Sequence, residues 1–271
     1  MPLTGAHAGE SPARSSRSTI ALMYHALQAG AEPAPAADPH YTVDMDRFSA
    51  QLAACARLGG GAVSARDWLA GKTGVILTFD DGHASNHHLG LPALLAAGAG
   101  ADFFVNPAQV GTAGYATWGE LREMAEAGMS IQSHGLDHGH YLTELSPPQL
   151  LDELRRARLE IEAHVGRPVT LLAPPGGRSP RGLEATAAEA GYTHVLDSQP
   201  GTIKRGGKRT LGRFAITAGF ELDTFESLLR GGRARLRAQA RYAILALAKR
   251  AMGDRGYETL RRRLLRTTAA S

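Results

Sequence analysis

Short apolar runs alternate with longer amphipathic stretches from ALMYH at residue 21 to about residue 231. Three times a helical stretch ends in glycine and a short apolar segment follows: PALLAAG before ADFFV, ELREMAEAG before MSIQSH, and ATAAEAG before YTHVLD. Each reads as a helix C-cap followed by a strand. A fourth unit starts at Ser146 as N-cap with Pro147 in the first turn, carries apolar residues at 150, 151, 154 and 161, and stops at Gly166 before TLLAP. Thr117 and Glu120 supply a capping box for the second helix. Strand and helix alternating at a spacing of roughly 30 residues predict a parallel sheet with crossover helices, either doubly wound or closed as a barrel.

In both architectures chemistry gathers at the C-terminal ends of strands. His25, Asp80, Asp81, Asn106, His134, Pro174 and Asp197 fall at such ends. The stretch GVILTFDDG, residues 74–82, is the most pointed of them: a buried strand runs directly into two adjacent carboxylates and a glycine.

Composition permits a large core in one big domain or two ordinary ones, with 43% hydrophobic residues and 32 glycines in 271. The single cysteine, Cys55, excludes an internal disulfide and a thiolate metal cage, and reads as core or helix packing. Residues 1–18 lack the apolar centre of a signal peptide and read as a flexible tail. No run approaches the ~18 apolar residues of a membrane span. The expectation is a soluble, cytoplasmic protein. The net charge of +4 is unevenly placed: Arg230 to Ser271 holds 12 Lys and Arg against two acids, +10, while the rest holds 18 bases and 24 acids. The basic segment reads either as a solvated helix or as a contact for anionic lipid at the inner membrane face. With only Tyr242 and Tyr257 to stack on bases, and an acidic main body, no nucleic-acid role is expected.

Six of the eleven histidines fall in two windows, HASNHH at 83–88 and HGLDHGH at 134–140. His134 and His138, four apart, lie within reach of one ion. Two imidazoles and one carboxylate are the donor set of a hydrolytic divalent metal, most often zinc, with a position left for water. One of the two aspartates would bind the ion and the other would act as general base. Adjacent side chains on a strand point to opposite faces, so this division requires a turn, which Gly82 permits.

At these residues the chain resembles the polysaccharide deacetylase family, the NodB-homology carbohydrate esterases. TFDDG at 78–82 matches that family's first motif, HGLDH at 134–138 matches the histidine spacing of the second, and LMYH points to a divergent subgroup. The resemblance implies a distorted (β/α) barrel over residues 19–231, and the charge run beyond it reads as a basic helical extension over 232–271. The resemblance also implies metal-dependent hydrolysis of an N-acetyl group on a sugar, Asp80 being the catalytic base and Asp81, His134 and His138 the ligands of a divalent ion, Zn²⁺ foremost. The third motif, usually Arg-Pro-Pro-Tyr-Gly, reads APPGG at 173–177. Pro175 and Gly176 are thereby candidates for the oxyanion and substrate pocket, with Arg178 as a replacement cation and His25 as a pocket residue. The family's late histidine has no counterpart in RTLGRFAIT, so His194, His83 and His140 stand as candidates for the general acid. Gly135 replaces the Ser or Thr that usually follows the first metal histidine.

The expected partner is an N-acetylated sugar or glycan precursor, with a lipid-linked one suited to the basic segment. Two other readings stand beside this: an O-acetyl esterase or other amide hydrolase on the same site, and a non-catalytic glycan- or membrane-binding descendant.

Overall fold

The apolar runs become strands. The computed structural model describes residues 18–30, 34–139, 142–177, 179–240 and 242–244. Ten strands occur there: β1 (Ala21–Tyr24), β2 (Ala26–Gln28), β3 (Thr42–Asp44), β4 (Ala62–Val63), β5 (Val75–Phe79), β6 (Asp102–Val105), β7 (Ser130–Ser133), β8 (Leu171–Leu172), β9 (His194–Asp197) and β10 (Thr210–Ala215). Between them run α1 (Met45–Gly59), α2 (Ala65–Leu69), α3 (Leu91–Ala96), α4 (Trp118–Glu126), α5 (Pro147–Val165), α6 (Leu183–Glu189) and α7 (Leu222–Arg230).

Pairing of β1 with both β10 and β5 closes seven parallel strands into a barrel, in the order β1-β10-β9-β8-β7-β6-β5. Of the two architectures that the spacing allowed, the closed one is adopted. β4 pairs with the start of β5, and β2 with β3 forms a separate parallel pair. Side-chain alternation sorts the strands into two packed layers. Ala21, Ile76, Phe104, Leu171, Leu196 and Leu211 form an inner cluster with Ala65 and Trp68 of α2. Leu22, Leu77, Phe79, Phe103, Ile131 and Phe214 join the outer cluster with Phe48, Leu121, Leu154 and Phe225 of the helices. Burial of each such side chain contributes roughly 1.5–3 kcal/mol.

Period-two spacing continues the inner rows of β5, β7 and β10 into polar residues near the C-terminal ends of the strands. Thr78 and Asp80 follow Ile76, Arg213 follows Leu211, and His134 follows Ser130 and Gln132, all of them buried. These groups are partnered within the barrel: Thr78 donates to Leu22 O at 2.9 Å, and Gln132 accepts from the amides of Thr170 and Leu171 at 2.9 and 2.8 Å.

The helix stops follow from the glycines. Across Gly98, Gly128 and Gly191, all left-handed, Ala99 donates to Leu94 O, Met129 to Met124 O and Tyr192 to Ala187 O, at 2.9, 3.0 and 2.9 Å. This six-to-one bond closes the last turn and aims the chain back into the next strand. The capping boxes of α4 (Thr117, Glu120) and α5 (Ser146, Gln149) are formed, and Cys55 is buried on α1. α1 is tied to α7 by ion pairs of Arg57 with Glu226 and of Arg47 with Glu221. Residues 233–240 of the basic segment are helical. Arg235 there donates to the carbonyls of Leu228 and Leu229 at 2.7 and 2.9 Å, so part of the basic charge closes the end of α7. Residues 1–17, 241 and 245–271 lie outside the described residues.

Asp102, fully buried at the start of β6, accepts the amides of Ala65 and Arg66 at the head of α2. Burial outweighs these bonds and pushes its carboxyl up to about 6. A carboxyl raised in the folded state binds its proton more tightly than in the unfolded chain, so its contribution falls as pH rises from about 4 to about 6. At about 1.4 kcal/mol per pKa unit, wild type is expected to lose on the order of 3 kcal/mol relative to Asp102→Asn across that window. Urea unfolding of both proteins at pH 4 and 6.5 checks this, and parallel pH dependences would refute it.

Candidate active site

The two carboxylates after β5 are separated by a turn that begins on Asp81 itself. The Asp80 amide still donates to Tyr24 O at 2.9 Å, which keeps Asp80 in the inner row. Asp81 takes φ +72 and Gly82 φ +74, two left-handed residues in succession. The left-handed region costs an L-residue about 1–2 kcal/mol, with Asp and Asn among the side chains that tolerate it. At Gly82 a Cβ would stand 3.0 Å from Val105 Cγ1, a second reason for glycine there.

Redirected in this way, the Asp81 carboxylate sits among three imidazoles. Oδ1 lies 3.3 Å from His134 Nε2 and 3.6 Å from His138 Nε2, and Oδ2 lies 3.6 Å from His83 Nε2. His134 is held from behind, with Asn106 Nδ2 donating to its carbonyl at 2.6 Å. The next residue, Gly135, has φ +82 and lies where a Cβ would meet Pro175 Cγ at 3.4 Å. A Ser or Thr is therefore strained at this position, and Ser133 Oγ accepts the Gly135 amide at 3.2 Å instead. Glu153 of α5 accepts the Leu136 amide at 2.9 Å and fixes the loop that leads to His138.

Asp80 meets a partner that motif reading missed. Arg213 of β10, 1% exposed, donates from Nη1 to Asp80 Oδ1 at 2.6 Å and from Nη2 to Oδ2 at 2.8 Å. Its Nη1 also reaches Thr78 Oγ1 at 3.1 Å, its Nε reaches the Asp197 carbonyl at 3.3 Å, and its guanidinium lies over the Phe104 ring at 5.3 Å. The bidentate fork is the strong form of this pair. The cation is supplied by β10, whereas Arg178 lies outside the described residues. One signal was available in the sequence: an arginine in the middle of a barrel strand has to be paired if its face is inward.

These charges set one another's protonation. Burial alone would raise Asp80, but Arg213, together with His134 and His25, overcomes it and holds the carboxyl below its ordinary value. Burial of Asp81 is likewise overcome by His134 and His83, which hold it well below. For His134, burial disfavours the proton, yet Asp80 and Asp81 prevail and raise it. Burial lowers His138 and His25. The two carboxylates thus favour a proton on His134, while burial disfavours one on His138 and His25. One oxygen of Asp81 and one nitrogen each of His134 and His138 lie within 4.8 Å of one another. His134 Nδ1 is buried without a hydrogen bond. This is a fitting donor set for a divalent cation, and two imidazoles with one carboxylate match zinc.

The other candidates divide. His25 ends β1, stacks on Tyr41 with centroids 4.5 Å apart, and feels the charges of Asp81, Asp80 and His134. Pro175 is buried against Gly135, and Gly176 follows at φ +62 in a tight turn, so this turn borders the histidine loop. His83, 4% exposed and stacked on Tyr115, touches Asp81. His194 is a correction: it opens β9 and so stands at the opposite end of the barrel, bonded to Thr193 Oγ1 at 3.0 Å beside Glu184 and Arg209. Strand direction excludes it from proton transfer. His140 lies outside the described residues. His87 and His88, counted with the cluster in sequence, face Glu123 and Glu120 of α4 instead.

Residues 70–195 match the family model described as polysaccharide deacetylase. YxkH of Bacillus subtilis (strain 168), whose name carries the same family term, is 29% identical over 152 residues, 56% of this chain. The chain spans about half the length of that curated relative, 54% of it. Among solved structures, the Streptococcus pyogenes deacetylase PplD in complex with acetate superposes with a TM-score of 0.69 at 24% identity, covering 80% of this chain and 98% of that one. IcaB from Ammonifex degensii superposes with a TM-score of 0.65 at 21% identity, covering 82% and 97%. At these identities the two structures share the barrel fold.

Proposed function

From a chain that carries a polysaccharide deacetylase domain, we propose a metal-dependent hydrolase that removes an N-acetyl group from a sugar or glycan precursor. The observation that carries this reading is the division of labour after β5: Asp81 faces His134 and His138, while Asp80 is clamped as an anion by Arg213. Asp81, His134 and His138 would hold the divalent ion, zinc by its donor set, and that ion would polarise the acetyl carbonyl and acidify a water. Asp80 accepts a proton from the attacking water, and Arg213 keeps it ionised and fixed in direction. Asn106 orients His134, and His83 orients Asp81. The amide of Gly176 is the candidate donor to the developing oxyanion. With His83 engaged by Asp81, Asp80 is the group placed to return the proton to the leaving nitrogen. Acetate, the small acid bound by PplD, is the product such a reaction releases.

The test is acetate release from matched N-acetyl and O-acetyl sugars before chelation, after it, and after restoring zinc. Release from the N-acetyl substrate, lost on chelation and regained with zinc, is the expected result. Release from the O-acetyl substrate alone would move the reading to an esterase. No release from either would favour the binding descendant.

No helix among the described residues is long and apolar enough to cross a membrane. A lipid-linked substrate at an anionic surface would suit the +10 segment, each basic residue near such a surface contributing about 1 kcal/mol. Deleting residues 232–271 is expected to reduce sedimentation with phosphatidylserine vesicles at low salt. Equal sedimentation would remove the membrane contact from the reading.

A further inference from the structure

We propose a second divalent-cation site, built from His87, His88 and Glu120 and taking zinc. The segment Asn86–Gly90 is a single π-helical turn that follows the catalytic loop, and its wider winding presents two consecutive histidines to the head of α4. Such turns recur at functional sites. One nitrogen of each histidine and one oxygen of Glu120 lie within 4.8 Å of one another, the arrangement also seen for Asp81, His134 and His138.

The hydrogen bonds around the cluster leave one corner unsatisfied. Glu120 Oε2 accepts from the Thr117 amide at 2.7 Å and its hydroxyl at 2.9 Å, so it is occupied by the capping box. Glu120 Oε1 points the other way, 2.6 Å from His88 Nε2 and 3.6 Å from His87 Nδ1. His87 Nε2 faces Glu123 Oε2 at 2.9 Å and donates to it, and in the neutral ring that leaves Nδ1 with the lone pair. That Nδ1 is buried and makes no hydrogen bond. That nitrogen faces Glu120 Oε1 at 3.6 Å, so a cation bound between them would give His87 Nδ1 the partner it lacks, while Oε1 would exchange its bond from His88 for the ion. The chain from Glu123 through His87 to the ion is the carboxylate–histidine–metal arrangement that raises ligand basicity. His88, with 58% of its side chain exposed, would turn from Oε1 to the ion, and water would complete the shell from the solvent side. Bound there, zinc would pin the π-turn to α4 and so hold the end of the loop that carries Asp81 and His83.

Zinc alone is the probe, with equilibrium dialysis and elemental analysis on the full chain. In His134→Ala/His138→Ala, one equivalent of zinc should remain and the thermal midpoint should rise on adding it. Adding His87→Ala/His88→Ala should abolish both. Glu123→Gln, which keeps the fold and all three ligands, should weaken the remaining binding by roughly 10–100-fold. No zinc and no thermal shift in His134→Ala/His138→Ala would overturn the proposal. The two sites are told apart by His87→Ala/His88→Ala alone: one equivalent remains if only the second site is lost, and none if the Asp81 cluster fails to bind.

Discussion

Asp80→Asn is expected to lower acetate release by about 10²–10⁴-fold, the usual contribution of a positioned general base, while zinc still binds the Asp81 cluster. The amide has the same shape and keeps one oxygen for the Arg213 fork, but no anion remains to take a proton from water. The two readouts diverge for a reason visible in the turn at Asp81, which separates the carboxylate facing the histidines from the one facing the arginine. Steady-state kinetics with parallel metal analysis checks this. Near-normal turnover in Asp80→Asn would remove Asp80 from the mechanism, and joint loss of metal and activity would mean that Asp80 is itself needed for the ion.

Arg213→Met is the second large effect, and it is expected in stability as well as rate. Removing one member of a buried pair leaves the other charge uncompensated, at a cost of about 3–5 kcal/mol. In wild type Asp80 is held below its ordinary value, so its contribution is present above the unfolded pKa and is lost as pH falls through the folded one. Without Arg213, burial is the largest remaining influence and acts in the opposite direction, raising Asp80. The acid limb of the rate profile should therefore move to higher pH in Arg213→Met, with kcat falling more than KM rises. Arg213→Lys should recover little, because a point charge cannot reproduce the two-pronged bond. Asp80→Asn/Arg213→Met should regain much of the stability and none of the activity, a non-additivity expected of groups in contact. An unmoved acid limb together with an unchanged urea midpoint in Arg213→Met would defeat this account.

The parts of this fold that were legible in sequence are those that local physics determines. VILTF, ALMY and SIQS coincide with β5, β1 and β7, and the glycine stops close their helices as the spacing predicts. TFDDG with the His83 that follows it, and HGLDH, locate the three imidazoles and the two adjacent carboxylates of the site because those residues sit within a few positions of two strand ends. What escaped is long-range or directional. The Asp80–Arg213 pair spans 133 residues, and nothing local to RTLGRFAIT says that Arg213 faces a carboxylate on another strand. His194 looked eligible as a strand residue, but it stands at the start of β9, and the site lies at strand ends. His87 and His88 were counted with the catalytic cluster because nothing in the spacing reveals a π-turn, which rotates the following residues away from the phase of an ordinary helix.

Barrel closure also sets the order in which a newly made chain completes its candidate site. β1 is the first barrel strand to leave the ribosome, yet one of its edges must wait for β10. Asp80 has the same wait for Arg213. At about 5–20 residues per second, the 133 residues between them take roughly 7 to 27 seconds to synthesise. During that interval the nascent polypeptide holds an unmatched acid beside an open sheet edge, the state in which chaperone binding and proteolysis compete with folding. Completion of the last strand is then the event that closes the barrel and pairs Asp80 with Arg213 together.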